Sequence, residues 1–96
     1  MQLARVVGTV VSTQKTQFIV GMKLLIVEPI DARTLESTGK PLVAVDSVGA
    51  GEGEVVLYVS GSSSRLTEQT KDKPVDATIM AIVDFVEVDG KQTFAK

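Results

Sequence analysis

Apolar residues in this chain come in short runs that are apolar on both faces of an extended strand. A half-buried antiparallel strand alternates apolar and polar positions. Here Val6 and Val10 oppose Val7 and Val11, and Leu25 and Val27 oppose Leu24 and Ile26. In the longest run, Ala77, Ile79, Ala81, Val83 and Phe85 oppose Met80, Ile82, Val86 and Val88. Turn residues divide these runs into five strands. The first covers 2–13, with Gly8 as a bend or bulge. After the polar turn 14–17, a second stretch runs from Phe18 to Ile30, broken at Gly21 and ending at Pro29, which has no backbone donor. A polar loop over 31–41 leads to a third strand, Leu42–Val48. The glycine loop 49–53 follows, then a fourth strand, Glu54–Ser60. Residues 61–74 read as a connection ended by Pro74, in which a serine N-cap opens a short helix of one or two turns. Val75–Val88 is the fifth strand, Asp89-Gly90 is a turn signal, and the tail 91–96 adds a short strand carrying Phe94.

The pattern predicts an all-β fold: a small five-stranded OB-like β-barrel with one short helix, in a single domain over 1–96. Sixteen Val, five Ile and nine Thr support it, because β-branched side chains suit pleated, packed surfaces. A barrel has one inside, and 96 residues leave little chain to cover the outside. Strands apolar on both faces therefore predict that other copies of the chain cover the second face, the alternative being a two-layer packing in which the loops and tail cover it.

Composition narrows the chemistry. There is no His, no Cys and no Trp, with three Phe and one Tyr. Zinc sites built on His or Cys, disulfides and thiol catalysis are excluded. The net charge of −2, with no basic run, is a poor footprint for nucleic acid. No stretch approaches the roughly 18–20 apolar residues of a membrane span, and the N-terminus turns polar within a few residues. The expectation is a cytoplasmic protein that binds neither membrane nor nucleic acid and carries no cofactor or metal.

Three constellations invite a chemical reading. Gly49-Ala50-Gly51-Glu52-Gly53 resembles a phosphate-cradling loop, but the spacing is G-x-G-x-G and a strand follows where a nucleotide fold places a helix. Glu52 and Glu54 would repel an anion. Ser62-Ser63-Ser64-Arg65 could hold a serine nucleophile, yet no His is available to activate it. Asp46, Asp76 and Asp84 sit in apolar surroundings. Paired acids suit glycosidases, but the aromatic platforms of a sugar site are missing. These carboxylates read as structural, with Asp76 organising the start of the last strand by side-chain bonds to backbone. Arg5, Lys15 and Lys23 give a mild positive bias near Phe18, which supports the alternative of an OB-like single-stranded nucleic-acid-binding module.

Taken together, the motifs resemble the EutN/CcmL family of bacterial microcompartment shell vertex proteins. The matching residues run from end to end: Ala4-Arg5-Val6-x-Gly8-x-Val10, Thr13-x-Lys15, Gly21-x-Lys23-Leu24, Asp46-x-Val48-Gly49-Ala50-Gly51-x-Gly53-Glu54, Gly61-Ser62-Ser63-x-Arg65, and Pro74-Val75-Asp76-Ala77-x-Ile79-x-x-Ile82-Val83-Asp84. Ser64 departs from the pattern, which usually has Ala there. The resemblance implies a non-enzymatic structural protein. It implies a homopentamer at the fivefold corners of a closed shell, among hexameric shell proteins. It also implies that Gly49, Ala50, Gly51, Gly53, Glu54, Gly61, Ser62, Ser63 and Arg65 belong to the ring's contact surface or its central opening.

Overall fold

The computed structural model describes all 96 residues. Strands β1 (Gln2–Val10), β2 (Lys23–Pro29), β3 (Leu42–Asp46), β4 (Val55–Ser60) and β5 (Ala77–Ile82) close into a barrel in the order β1-β2-β3-β5-β4. Strands β6 (Phe85–Val88) and β7 (Lys91–Ala95) form a separate hairpin. All neighbouring pairs are antiparallel except β3 and β5, which run parallel and pair only through Val45↔Thr78 and Asp46↔Ile79. The all-β barrel expected from the sequence is present.

Three details of the sequence reading change. The run Val75–Val88 is not one strand. The backbone leaves the barrel at Val83–Asp84, where Val83 N–H donates to Val55 O and Lys96 N–H donates to Asp84 O, each at 2.8 Å. The short helix is a five-residue 3₁₀ turn, Gly61–Arg65, and Ser60 makes no side-chain capping bond. Instead Ser64 Oγ donates to Gly61 O at 2.5 Å, which tightens the turn from within. Similarly, the second extended stretch starts with a 3₁₀ turn at Gln17–Ile19, and β2 begins only at Lys23.

Alternation also fails at two bulges. Val6 pairs with Val27 and Gly8 with Ile26, so Val7 is the extra residue of β1 and is pushed outward. On β5, Ala81 pairs with Leu57 but Ile79 with Tyr58, leaving Met80 unpaired. That bulge turns Ile82 to the same side as Ile79. Ile79 is fully buried, and Ile82 packs against the same core. A strict two-residue period had placed these two isoleucines on opposite faces.

The core contains Ala4, Val6, Leu25, Val27, Ala44, Ala50, Val56, Tyr58, Ala77 and Ile79. Each fully buried Val, Leu or Ile contributes about 1.5–3 kcal/mol. Four alanines suit the narrow interior of a five-stranded barrel. Tyr58 is the one aromatic residue in it. Its hydroxyl bonds Gln2 Oε1, and burial raises its pKa.

The outer face is covered in part. The 61–75 segment lies over β5, where Thr78 Oγ1 donates to Ser64 O at 2.6 Å and Val45 and Thr78 are buried. Elsewhere the apolar outer face stays open: Val7, Val43 and Val48 are exposed, and Leu24 and Ile26 are half-buried. The hairpin is tied to the 31–36 loop by the Arg33–Asp89 ion pair and by Thr93 Oγ1 donating to Ala32 O at 2.6 Å.

Candidate assembly surface

The glycine loop is built from its neighbours inward. Asp46, at the end of β3, is almost wholly buried at its side chain. Its Oδ1 accepts the N–H groups of Val48 and Gly49 at 3.0 and 3.1 Å, an Asx turn that bends the chain out of the strand. Lys23 Nζ lies 3.5 Å from Asp46 Oδ2 and donates to Ala50 O at 2.7 Å. Ala50 is thereby pinned with its methyl in the core. Gly49 and Gly53 have φ of +80° and +86°, which only glycine adopts without strain.

The far side of the loop is held by three further groups. Gly51 N–H donates to Glu54 Oε1 at 2.8 Å, and Lys96 Nζ stands 2.8 Å from Glu54 Oε2. The Lys96 ammonium, and then the Gly51 N–H, hold the Glu54 carboxyl below its ordinary range, while Glu54 raises the Lys96 pKa in return. Arg5 Nη1 donates to Gly53 O at 3.1 Å, its guanidinium centred 6.0 Å from the Phe94 ring. Gly53 N–H donates to Val6 O at 2.8 Å.

This wiring decides what the loop can do. The amides of Gly49, Gly51 and Gly53 already have acceptors within the chain, so they cannot converge on a phosphate. The cations fare similarly. Lys23 is committed to Asp46 and Ala50, and Lys15 Nζ donates to Ser12 O at 2.6 Å, which leaves little of the basic bias that a nucleic-acid groove needs.

Gly61–Arg65 is likewise internally satisfied. Gly61 N–H donates to Asp76 O at 2.8 Å. Ser64 is fully buried, and its hydroxyl also reaches Val75 O at 3.0 Å. Ser62, Ser63 and Arg65 are exposed. Of the three carboxylates, only Asp46 acts through its side chain. Asp76 and Asp84 are exposed and contribute their backbone carbonyls instead, so the expected side-chain bond from Asp76 is replaced by its peptide oxygen. No group of three carboxylates converges as a metal site would require.

The sequence reading passed over two features. One is the set of hydroxyls within and beneath the 61–75 segment, where Thr67 and Thr70 bond each other at 2.6 Å and Thr78 of β5 bonds Ser64. The other is a set of exposed apolar side chains, Val11, Phe18, Val20, Leu66 and Phe85, standing well apart from the core. The polarity of a Thr and the bulk of a Phe are visible in sequence, but burial of the first and exposure of the second are not.

The profile of the family described as "Ethanolamine utilisation protein EutN/carboxysome" matches residues 1–84. The chain belongs to the EutN/CcmL family. It is 47% identical over 96 residues to the bacterial microcompartment shell vertex protein EutN of Salmonella typhimurium, covering 100% of this chain and 96% of that one. It is similar to the solved structure of Gloeobacter violaceus CcmL, with a TM-score of 0.93 and 42% identity over 100% of this chain and 98% of that one. It is also similar to the GrpN pentameric microcompartment shell protein from Rhodospirillum rubrum, with a TM-score of 0.80 and 43% identity over 92% and 98% of the two chains. The EutN/CcmL match in sequence takes in the whole barrel, including the Asp46–Glu54 loop and the Gly61–Arg65 turn.

Proposed function

We propose that this chain is a structural shell protein whose pentamers cap the fivefold vertices of a bacterial microcompartment. The observation that carries the reading is its similarity along the whole chain to shell vertex proteins, one of them named as pentameric. The fold offers a physical reason. A sheet of hexagonal tiles cannot close without fivefold corners, and a cyclic ring repeats one heterologous contact until the rotation closes. A standard interface takes about 800 Å² from each partner. Two such faces amount to roughly a quarter of the subunit's 5937 Å² surface.

The finer parts of the proposal follow from the same reading. The flat-sided neighbours of the ring are hexameric shell proteins, the shell lies in the cytoplasm, and the role is non-enzymatic. The absence of any His or Cys and the committed amides of the glycine loop support that role. The loop Gly49–Glu54 and the turn Gly61–Arg65 are proposed as parts of the ring's own surface. Their internal bonding fixes their shape in the free subunit, so little ordering is lost on assembly. Native mass spectrometry tests the reading: a closed five-membered ring is expected, and a stable monomer at micromolar concentration overturns it.

A further inference from the structure

A head-to-tail ring needs two different patches on every subunit, one that inserts and one that receives. Resting on the ring reading above, two patches of this chain answer that description. The first is an open groove of about 450 Å³ lined by Phe18, Arg65, Asp72, Lys73 and Pro74. Phe18 is 55% exposed at it. Arg65 and Lys73 form no ion pair; the chain's three pairs are Lys23–Asp46, Arg33–Asp89 and Lys96–Glu54. The groove therefore sets the Phe18 ring and Pro74 beside an unspent positive rim, offset only by Asp72.

The second patch is the start of β6. Phe85 is 60% exposed there. Phe85 and Glu87 project from the same side of the strand, away from the half-buried Val86 and Val88. Asp84 adjoins them and is also exposed. Neither Asp84 nor Glu87 forms an ion pair, and Lys96, the nearby cation, is committed to Glu54. This edge is an aromatic knob with an unspent negative rim.

The two patches lie at opposite ends of one strand. Pro74 precedes β5 and Phe85 follows it, and six strand residues span about 20 Å. One copy therefore cannot satisfy itself. We propose that the Phe85 edge of one copy, with Asp84 and Glu87, seats in the Phe18–Arg65–Lys73 groove of the next, and that this junction repeats around the ring. A buried aromatic anchor with a rim of opposite charge is the arrangement that gives an interface both affinity and register.

Native mass spectrometry at micromolar concentration tests this, with circular dichroism to check folding. The double variant Arg65→Glu/Lys73→Glu is expected to lose the ring, as is Asp84→Lys/Glu87→Lys. Combining all four changes in one chain is expected to restore it. Separately, Phe18→Asp and Phe85→Asp are each expected to give folded monomers, and their mixture a 1:1 dimer, because each retains the half that the other lacks. Rings that survive both double reversals overturn the pairing while leaving the ring reading intact, and so does failure of the fourfold variant to recover. A monomeric wild-type chain overturns the ring reading itself. Arg65, Asp84 and Glu87 are exposed and Lys73 is half-buried, so these variants carry the test even where a phenylalanine replacement fails to fold.

Discussion

Lys23 and Asp46 meet across the β2–β3 pair, and the same ammonium reaches past the carboxylate to the Ala50 carbonyl, 2.7 Å away. One side chain thus connects a strand, the turn that ends its neighbour and the loop after it. The two partners are not equally placed: Lys23 is half-exposed, whereas the Asp46 side chain is buried and also receives two amides. Hydrogen bonds to charged groups contribute about 1.5–3 kcal/mol. Asp46→Ala is therefore expected to destabilise the subunit by about 2–3 kcal/mol, and Lys23→Ala by less. Urea unfolding checks the order, and equal losses would show that the turn does not depend on the carboxylate.

At Gly53 the cost of a side chain is purely conformational. A Cβ there meets nothing within 4 Å, yet φ is +86°. Gly53→Ala is expected to cost about 1–3 kcal/mol through backbone strain, while Gly53→Asn, which tolerates this region better, costs less. Thermal melting of the two variants distinguishes strain from lost space.

Ser64 is wired to Gly61 O and Val75 O from a fully buried site. Ser64→Ala keeps the volume nearly unchanged and removes both bonds, with an expected loss of about 1 kcal/mol. Amide hydrogen exchange is expected to rise first over residues 61–78. Uniform exchange across the chain would mean that the hydroxyl does not anchor the segment locally.

Ile82 and Met80 separate the core from the bulge. Ile82→Glu places a charge against the core and is expected to abolish folding, whereas Met80→Glu sits at the unpaired position and keeps the barrel. Circular dichroism reads both. Two folded variants would mean that the bulge does not set the facing of β5.

The Glu54–Lys96 pair gives the loop a pH dependence of known sign. The Glu54 pKa is depressed, so its contribution is present above the ordinary carboxylate value and disappears as pH falls through the lowered one. The Lys96 pKa is raised, so its contribution is present below the ordinary lysine value and lost as pH climbs through the higher one. The Gly51 amide shift in an NMR titration should report the acid step. In Lys96→Ala that step should move up toward the ordinary value; an unmoved midpoint would show that Lys96 does not hold Glu54.

The legible part of this fold was local or repeated. Val and Thr density marked the strands, Pro29 ended β2 where it lacks a donor, and Gly21, Gly49 and Gly53 marked turns that have positive φ. The Asp46–Glu54 spacing pointed to a built loop, and it is one. What sequence hid depends on partners far along the chain. The β5 bulge is set by Tyr58 and Leu57 across the sheet, and no period within β5 announces it. Likewise the break at Val83–Asp84 is enforced by Val55 and Lys96. Asp76 looked like an organising carboxylate, but the peptide oxygen beside it does that job. The Phe18 groove was invisible because its walls come from residues nearly fifty positions apart.

Closure of the barrel also orders events in time. The seam between β1 and β4 joins Arg5 to Val55, a contact across half the chain, and such non-local pairing makes folding slow, on a scale of roughly milliseconds to seconds. Until that seam forms, β1 and β4 each present a bare edge that could pair with another chain. Refolding is thus expected to show a concentration-independent phase, the sealing of the barrel, before any concentration-dependent growth in mass. A subunit that met its neighbours too early would offer them strand edges rather than finished faces.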